Sequence, residues 1–206
     1  MDDKLAQIKR WLGTGSINFF GLPMSGKDTQ GLRLAKALGA KFLSSGLIIR
    51  KREAETHQDM TKNGALIPTN IFYDWVLPYF ARKDLRDFPL ILSSIGRWSG
   101  EEDVVMTTAS SAGHEIKAAI FLNLPEESAI TRFNNAKTLN DRGDRSDDND
   151  PVVFDTRLKE FREKTLPVLE HYHTLDLLIT IDGDQTREQV FADLLDALYQ
   201  KSLTAD

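Results

Sequence analysis

The stretch best equipped for chemistry is Gly21-Leu22-Pro23-Met24-Ser25-Gly26-Lys27-Asp28-Thr29-Gln30. It follows the apolar, β-rich run Ser16–Phe20 and leads into a helical pattern over 29–39. Backbone N–H groups in such a loop can wrap an anion. Gly21 and Gly26 permit the close approach, the helix start adds the positive end of its dipole, and Lys27 adds a full charge. Gly-x-x-x-x-Gly-Lys between a strand and a helix is a phosphate-binding P-loop, whereas a tight turn with a surface lysine would need neither flanking element. One detail is unusual. The hydroxyl that normally follows the lysine stands one place later, so the order is Lys27-Asp28-Thr29.

Elements able to hold this loop recur along the chain. Short apolar runs at Ser16–Phe20, Lys41–Leu43, Leu90–Ser93, Ile116–Leu124 and Leu177–Ile181 read as strands. Helical patterns over about 29–39, 70–82, 126–137, 151–173 and 186–201 separate them, and Met1 to Leu12 reads as a short amphipathic helix. Strands alternating with helices predict an α/β fold with a five-stranded parallel sheet and helices on both faces. Asn140–Asp150, with five Asp, two Arg and a Gly, reads as an exposed, mobile loop. Asp150 and Pro151 then form a good helix start, and Pro167 should free the carbonyl of Glu163 and bend the helix there.

The chain has 206 residues, enough for one well-buried core with a small insertion. A net charge of -5 argues against a general binder of nucleic acid or membrane surfaces. No cysteine is present, which excludes disulfides and thiolate zinc sites and suits a reducing cytoplasm. No window approaches the roughly 18 apolar residues of a membrane span. The expected location is the cytoplasm. The scattered histidines, including His171 and His173, read as surface features, and no structural metal is expected.

Several further segments, in order, resemble the adenylate kinase family over nearly the whole chain. The P-loop is similar to the family's Gly-x-Pro-Gly-x-Gly-Lys-Gly-Thr-Gln. Ser44-Ser45-Gly46-Leu47-Ile48-Ile49-Arg50 resembles Thr-Gly-Asp-x-x-Arg, and Gly64-Ala65-Leu66-Ile67-Pro68 resembles Gly-x-Leu-Val-Pro. Leu90 to Arg97 falls where the family has a strand ending in Asp-Gly-Phe-Pro-Arg. Arg145-Ser146-Asp147-Asp148 is similar to the lid's Arg-x-Asp-Asp, Arg157-Leu158 to the next helix's Arg-Leu, and Ile181-Asp182-Gly183 to Ile-Asp-Gly.

The resemblance implies a P-loop nucleoside monophosphate kinase of the short-lid type. It would be a single domain with a monophosphate-binding insert over about 45–80 and a lid over about 138–149. It would be a monomer that takes ATP with Mg2+ and a monophosphate, AMP first. Gly21, Met24, Ser25, Gly26, Lys27, Asp28 and Thr29 would hold ATP, with Arg132 over the donor base and Arg142 as an added lid arginine. Ser45, Gly46, Arg50, Ile67, Arg97 and Glu101 would hold the monophosphate. Lys27, Arg97, Arg145 and Arg157 would serve the transfer itself, because the phosphoryl transition state spreads charge over three oxygens.

Three positions depart from the family. Its strand-end Asp, which organises water around magnesium, is Ser93; the Asp after Thr-Gly is Leu47; the Gln that reads adenine is Glu101. No metal ligand is assigned directly, though Asp28 could compensate for the missing Asp. Alternatively it is a helix-start carboxylate favoured by the dipole. A carboxylate at 101 only accepts, which suits the two adjacent N–H groups of guanine as well as the amino group of adenine. GMP therefore competes with AMP, and CMP and UMP stay open. A nucleotide-binding regulator without turnover and a small-molecule kinase of the shikimate type are the remaining readings.

Overall fold

The computed structural model describes residues 2–139 and 150–204. Arg142 and Arg145, expected in a lid, lie outside the described residues, as does most of the loop read at 140–150. Five strands form one parallel sheet: β1 (Ser16–Gly21), β2 (Lys41–Ser44), β3 (Leu90–Ser93), β4 (Ile116–Asn123) and β5 (Leu178–Asp182), in the order β2-β3-β1-β4-β5. All pairings are parallel, with Ile17 beside Ile91 and Phe19 beside Ile120. The expected α/β sheet is present.

Alternation along the strands divides the core into two layers. Ile17 and Phe19 of β1 and Ile91 of β3 face one layer, where they meet Ile8 and Leu12 of α1 (Asp2–Leu12), Leu34 and Leu38 of α2 (Lys27–Leu38) and Leu194 and Leu198 of α9 (Arg187–Thr204). Phe20, Leu90 and Leu92 face the other layer, with residues of α5 (Glu101–Ser111), α7 (Pro151–Glu160) and α8 (Leu166–Thr174). The N-terminal helix thus packs beside α9, where Gln7 Nε2 donates to Ser202 O at 3.1 Å.

Helices differ from the periodicity in four places. The helix expected over 70–82 is α4 (Thr69–Trp75) followed by a 3₁₀ turn, Leu77–Ala81, with Pro78 inside it. α3 (Ser45–Thr56) and α5 carry weak apolar stripes, and neither was legible as a helix. α6 (Glu126–Leu139) starts at the expected residue. The long helix after Asp150 is interrupted by a π-helical turn, Phe161–Thr165, in which Leu166 N–H donates to Phe161 O. Such a widened turn accommodates Pro167, which lacks an N–H and crowds the preceding turn.

Asp150 caps α7 as read from the sequence. Its side chain accepts from Val152 N at 2.8 Å, with Pro151 at the first helical position. Among the described residues no helix is long and apolar enough to cross a membrane. Asp150→Ala should cost about 1 kcal/mol, a fall in Tm of roughly 2–4 °C for a chain of this size. Thermal unfolding checks this, and an unchanged Tm removes the cap from the account of α7.

Candidate functional site

Loops at the carboxyl ends of β1, β2 and β3 enclose a cavity of about 450 Å³, the crevice where parallel α/β sheets hold ligands. At its floor β1 ends on Gly21, with φ 156°. A Cβ there would lie 2.5 Å from Ser25 Oγ and 3.0 Å from Leu122 O, so only glycine lets the loop fold back on itself. Met24 and Gly26 take positive φ, and α2 begins at Lys27 directly after Gly26, an N-cap residue with no side chain of its own. A helix start of this kind turns its amides and the positive end of its dipole toward the cavity, the arrangement that suits an anion. Met24, Gly26, Lys27, Asp28 and Thr29 line the cavity. Ser25 is buried against Gly21, and its hydroxyl has no partner among the described residues.

The loop after β3 is held from below. Asn18, buried in β1, donates from Nδ2 to Ile95 O at 2.7 Å and accepts from Ile95 N at 3.3 Å. Ser45 Oγ donates to Ser94 O at 2.7 Å. Ser94 and Gly96 have positive φ, so the chain turns sharply enough to carry Arg97 to the cavity wall. Arg97 retains some accessible surface but sits deep enough that burial lowers its pKa to about 10. Glu160 opposes that fall and nearby Arg157 adds to it. The group stays charged at neutral pH, and among the described residues no carboxylate lies within ion-pair distance of it.

Three more cations share the cavity: Lys27, Arg50 from α3 and Arg157 from α7. Arg50 lies over Gly46, where a Cβ would be 3.2 Å from its Nη1. Gly64 does the same service for α7. Its φ is 79°, and a Cβ would come within 2.6 Å of Val153 O and 3.2 Å of Arg157 Cγ. Ser45, Gly46 and Ile67 complete the part of the wall expected from the sequence.

Glu101 reaches the cavity with most of its acceptor capacity engaged. Its Oε2 accepts from Arg97 N at 2.9 Å and Trp98 N at 3.1 Å, and its Oε1 accepts from Thr69 Oγ1 at 2.8 Å. Burial pushes its carboxyl up, and the three donors pull it back. Arg132 is not on the cavity wall. It spans the edge of the P-loop, donating to Met24 O at 3.3 Å and to Gly183 O at 2.8 Å, with Asp184 at 3.4 Å.

Ser93 Oγ donates to Asp28 Oδ1 at 2.5 Å, joining the end of β3 to the start of α2. Both residues line the cavity beside Thr29, so one carboxylate and two hydroxyls gather at the phosphate loop. An all-oxygen set with a single carboxylate fits a magnesium ion that takes its remaining ligands from phosphates and water. Among the described residues no cluster of three or more His, Cys, Asp or Glu could hold a metal unaided.

The sequence reading missed Thr69, Trp98, Phe133 and Phe154. The last two stack 4.3 Å apart at 20° and line the cavity, tying α6 to α7. No motif marks these residues. Only their spatial neighbours give them a role.

No family model matches the sequence. An adenylate kinase of Thermus thermophilus is 30% identical over 190 residues, covering 89% of this chain and 96% of that protein. The chain belongs to the adenylate kinase family. An adenylate kinase of Mycobacterium tuberculosis is 30% identical over 191 residues, covering 88% and 98%, and adenylate kinase 2 of Nostoc is 28% identical over 182 residues, covering 84% and 93%. A gluconokinase from Sinorhizobium meliloti shares the fold, with a TM-score of 0.58 at 17% identity, covering 92% of this chain and 94% of that one. The protein is accordingly a phosphotransferase of the P-loop kinase fold, with its cations gathered where the P-loop meets the β3 loop.

Proposed function

We propose that the protein transfers the γ-phosphoryl group of ATP to AMP, giving two ADP, with Mg2+ accompanying ATP. One observation carries the reading: four cations line a single cavity that extends from the P-loop to Glu101, and Arg97 among them is deeply set with no carboxylate partner among the described residues. A buried guanidinium without a counter-charge is costly unless an anion arrives to pair with it.

In this reading Lys27 and the loop amides hold the β- and γ-phosphates of ATP. Arg50 and Arg97 hold the phosphate of AMP. An oxygen of that phosphate attacks the γ-phosphorus while the bond to the β–γ bridging oxygen breaks, and Arg157 meets the charge spread over the transferring group. Magnesium would offset phosphate charge, with Asp28, Ser93 and Thr29 as the groups disposed to hold it. The segment over about 45–80 serves as the acceptor insert. The segment over about 138–149 serves as the lid, bringing Arg142 and Arg145, and closure of both excludes water. Arg132 braces the donor-base side through Met24. The protein works as a cytoplasmic monomer.

AMP is favoured over GMP by the state of Glu101. A carboxylate offers about four acceptor positions. Three are taken by Thr69, Arg97 and Trp98, which leaves one for an exocyclic amino group and too few for the paired N–H groups of guanine.

Coupled assays with ATP, Mg2+ and each monophosphate test the function directly. Turnover should be highest with AMP, and Lys27→Met should lower kcat/KM by roughly 10²–10³-fold, the scale of losing one preorganised charge-stabilising group. Wild-type protein that binds ATP and AMP without turnover would establish a regulator instead. Asp28→Gly should weaken ATP binding in the presence of Mg2+ while leaving metal-free ATP binding near wild type. A purely helical role for Asp28 predicts only a stability loss of about 0.3–1 kcal/mol, with no change in magnesium dependence. Glu101→Gln should move the AMP-to-GMP ratio of kcat/KM further toward AMP, since the amide can supply a donor to the adenine ring nitrogen. An unmoved ratio would leave Glu101 with the Arg97 loop as its sole task.

A further inference from the structure

Two buried carboxylates flank Arg97. Glu101 is committed to the backbone of the Arg97 loop. Glu160, at the end of α7, is also buried, and its charge acts on Arg97. Opposite charges in a poorly solvated site attract strongly, so an unengaged Glu160 would be drawn to that guanidinium. It is engaged elsewhere. Both of its oxygens accept from Lys164 Nζ, at 2.8 and 2.6 Å, and Oε2 also accepts from Leu66 N at 3.2 Å.

Lys164 is itself held in place. Its ammonium lies 3.9 Å from the centroid of the Trp98 ring, a cation–π contact with the residue next to Arg97. Its neighbour Thr165 donates to Arg97 O at 3.4 Å. Both residues belong to the π-helical turn Phe161–Thr165, so this widened turn applies two successive side chains to the Arg97–Trp98 segment.

We propose that Lys164 is a positioning residue for the acceptor-phosphate site: it keeps the Glu160 carboxylate away from Arg97, so that the guanidinium stays open to the incoming phosphate. The proposal rests on the reading of Arg97 given above. It assigns Lys164 an effect on acceptor affinity that a simple staple between α7 and the Leu66 loop would not produce.

A double-mutant cycle read by steady-state kinetics and by calorimetry of AMP alone separates the two. Lys164→Met should raise the KM and Kd for AMP roughly tenfold, the size of one charge-assisted hydrogen bond lost from the acceptor. The KM for ATP and kcat should stay near wild type. Adding Glu160→Gln should recover most of the loss, because the amide keeps an oxygen for the Leu66 N–H and carries no charge to attract Arg97. Lys164→Arg should behave as wild type. A double variant no better than Lys164→Met, or losses shared equally by kcat and both KM values, overturns the proposal. If Lys164→Met does not fold, Lys164→Gln replaces it, and the same rescue by Glu160→Gln is required. Absence of AMP binding and turnover in the wild type would overturn the acceptor reading itself; normal wild-type turnover with an unchanged AMP KM in Lys164→Met overturns the positioning role alone.

Discussion

A guanidinium that must stay charged in a poorly solvated cavity is the demanding element here, and much of the surrounding structure is arranged around it. Burial lowers the pKa of Arg97 to about 10, yet no carboxylate among the described residues sits at ion-pair distance. Its backbone is instead fixed from several sides, by Asn18 through Ile95, by Glu101 at its amide and by Thr165 at its carbonyl. Fixing the backbone while no described carboxylate pairs with the charge favours an external anion over an internal partner.

The same economy of position recurs at the P-loop. β1 and β3 are neighbours in the sheet, so their carboxyl ends deliver the phosphate loop and the Arg97 loop side by side. Both loops need positive φ, at Met24 and Gly26 in one and at Ser94 and Gly96 in the other. Non-glycine residues in that region are strained, and such strain persists only where neighbouring contacts over-determine it. The contact between Ser93 and Asp28 links the two loops directly. Relative to the family pattern, Ser93 stands where the strand-end Asp would be, Asp28 stands beside the lysine where the family has glycine, and the Thr29 hydroxyl keeps its place.

Phosphate binding and the sheet were legible in the sequence because both depend on short, local patterns. Glycine spacing, a lysine at a helix start and apolar runs of strand length are dictated by backbone geometry, wherever they occur in a fold. α3 and α5 were not legible, since their faces are divided between core and cavity and show little periodicity. The π-helical turn was foreseen only as a disturbance at Pro167, because proline announces a broken hydrogen bond but not how the chain repairs it.

The identities of the cations were likewise set by the sequence, but their value was decided by tertiary structure. Arg97, Arg132 and Arg157 look alike as letters. One has no carboxylate partner among the described residues at the cavity wall, one braces the Met24 carbonyl, and one is held from α7 against Gly64. Glu101 and Glu160 show the same divergence, the first engaged by Thr69 and two amides, the second by Lys164 and Leu66. Charge and hydrogen-bonding capacity belong to a residue's chemistry. Whether a charge is spent on a neighbour or kept for a ligand depends on desolvation and on groups distant in the chain, and only the folded arrangement brings those together.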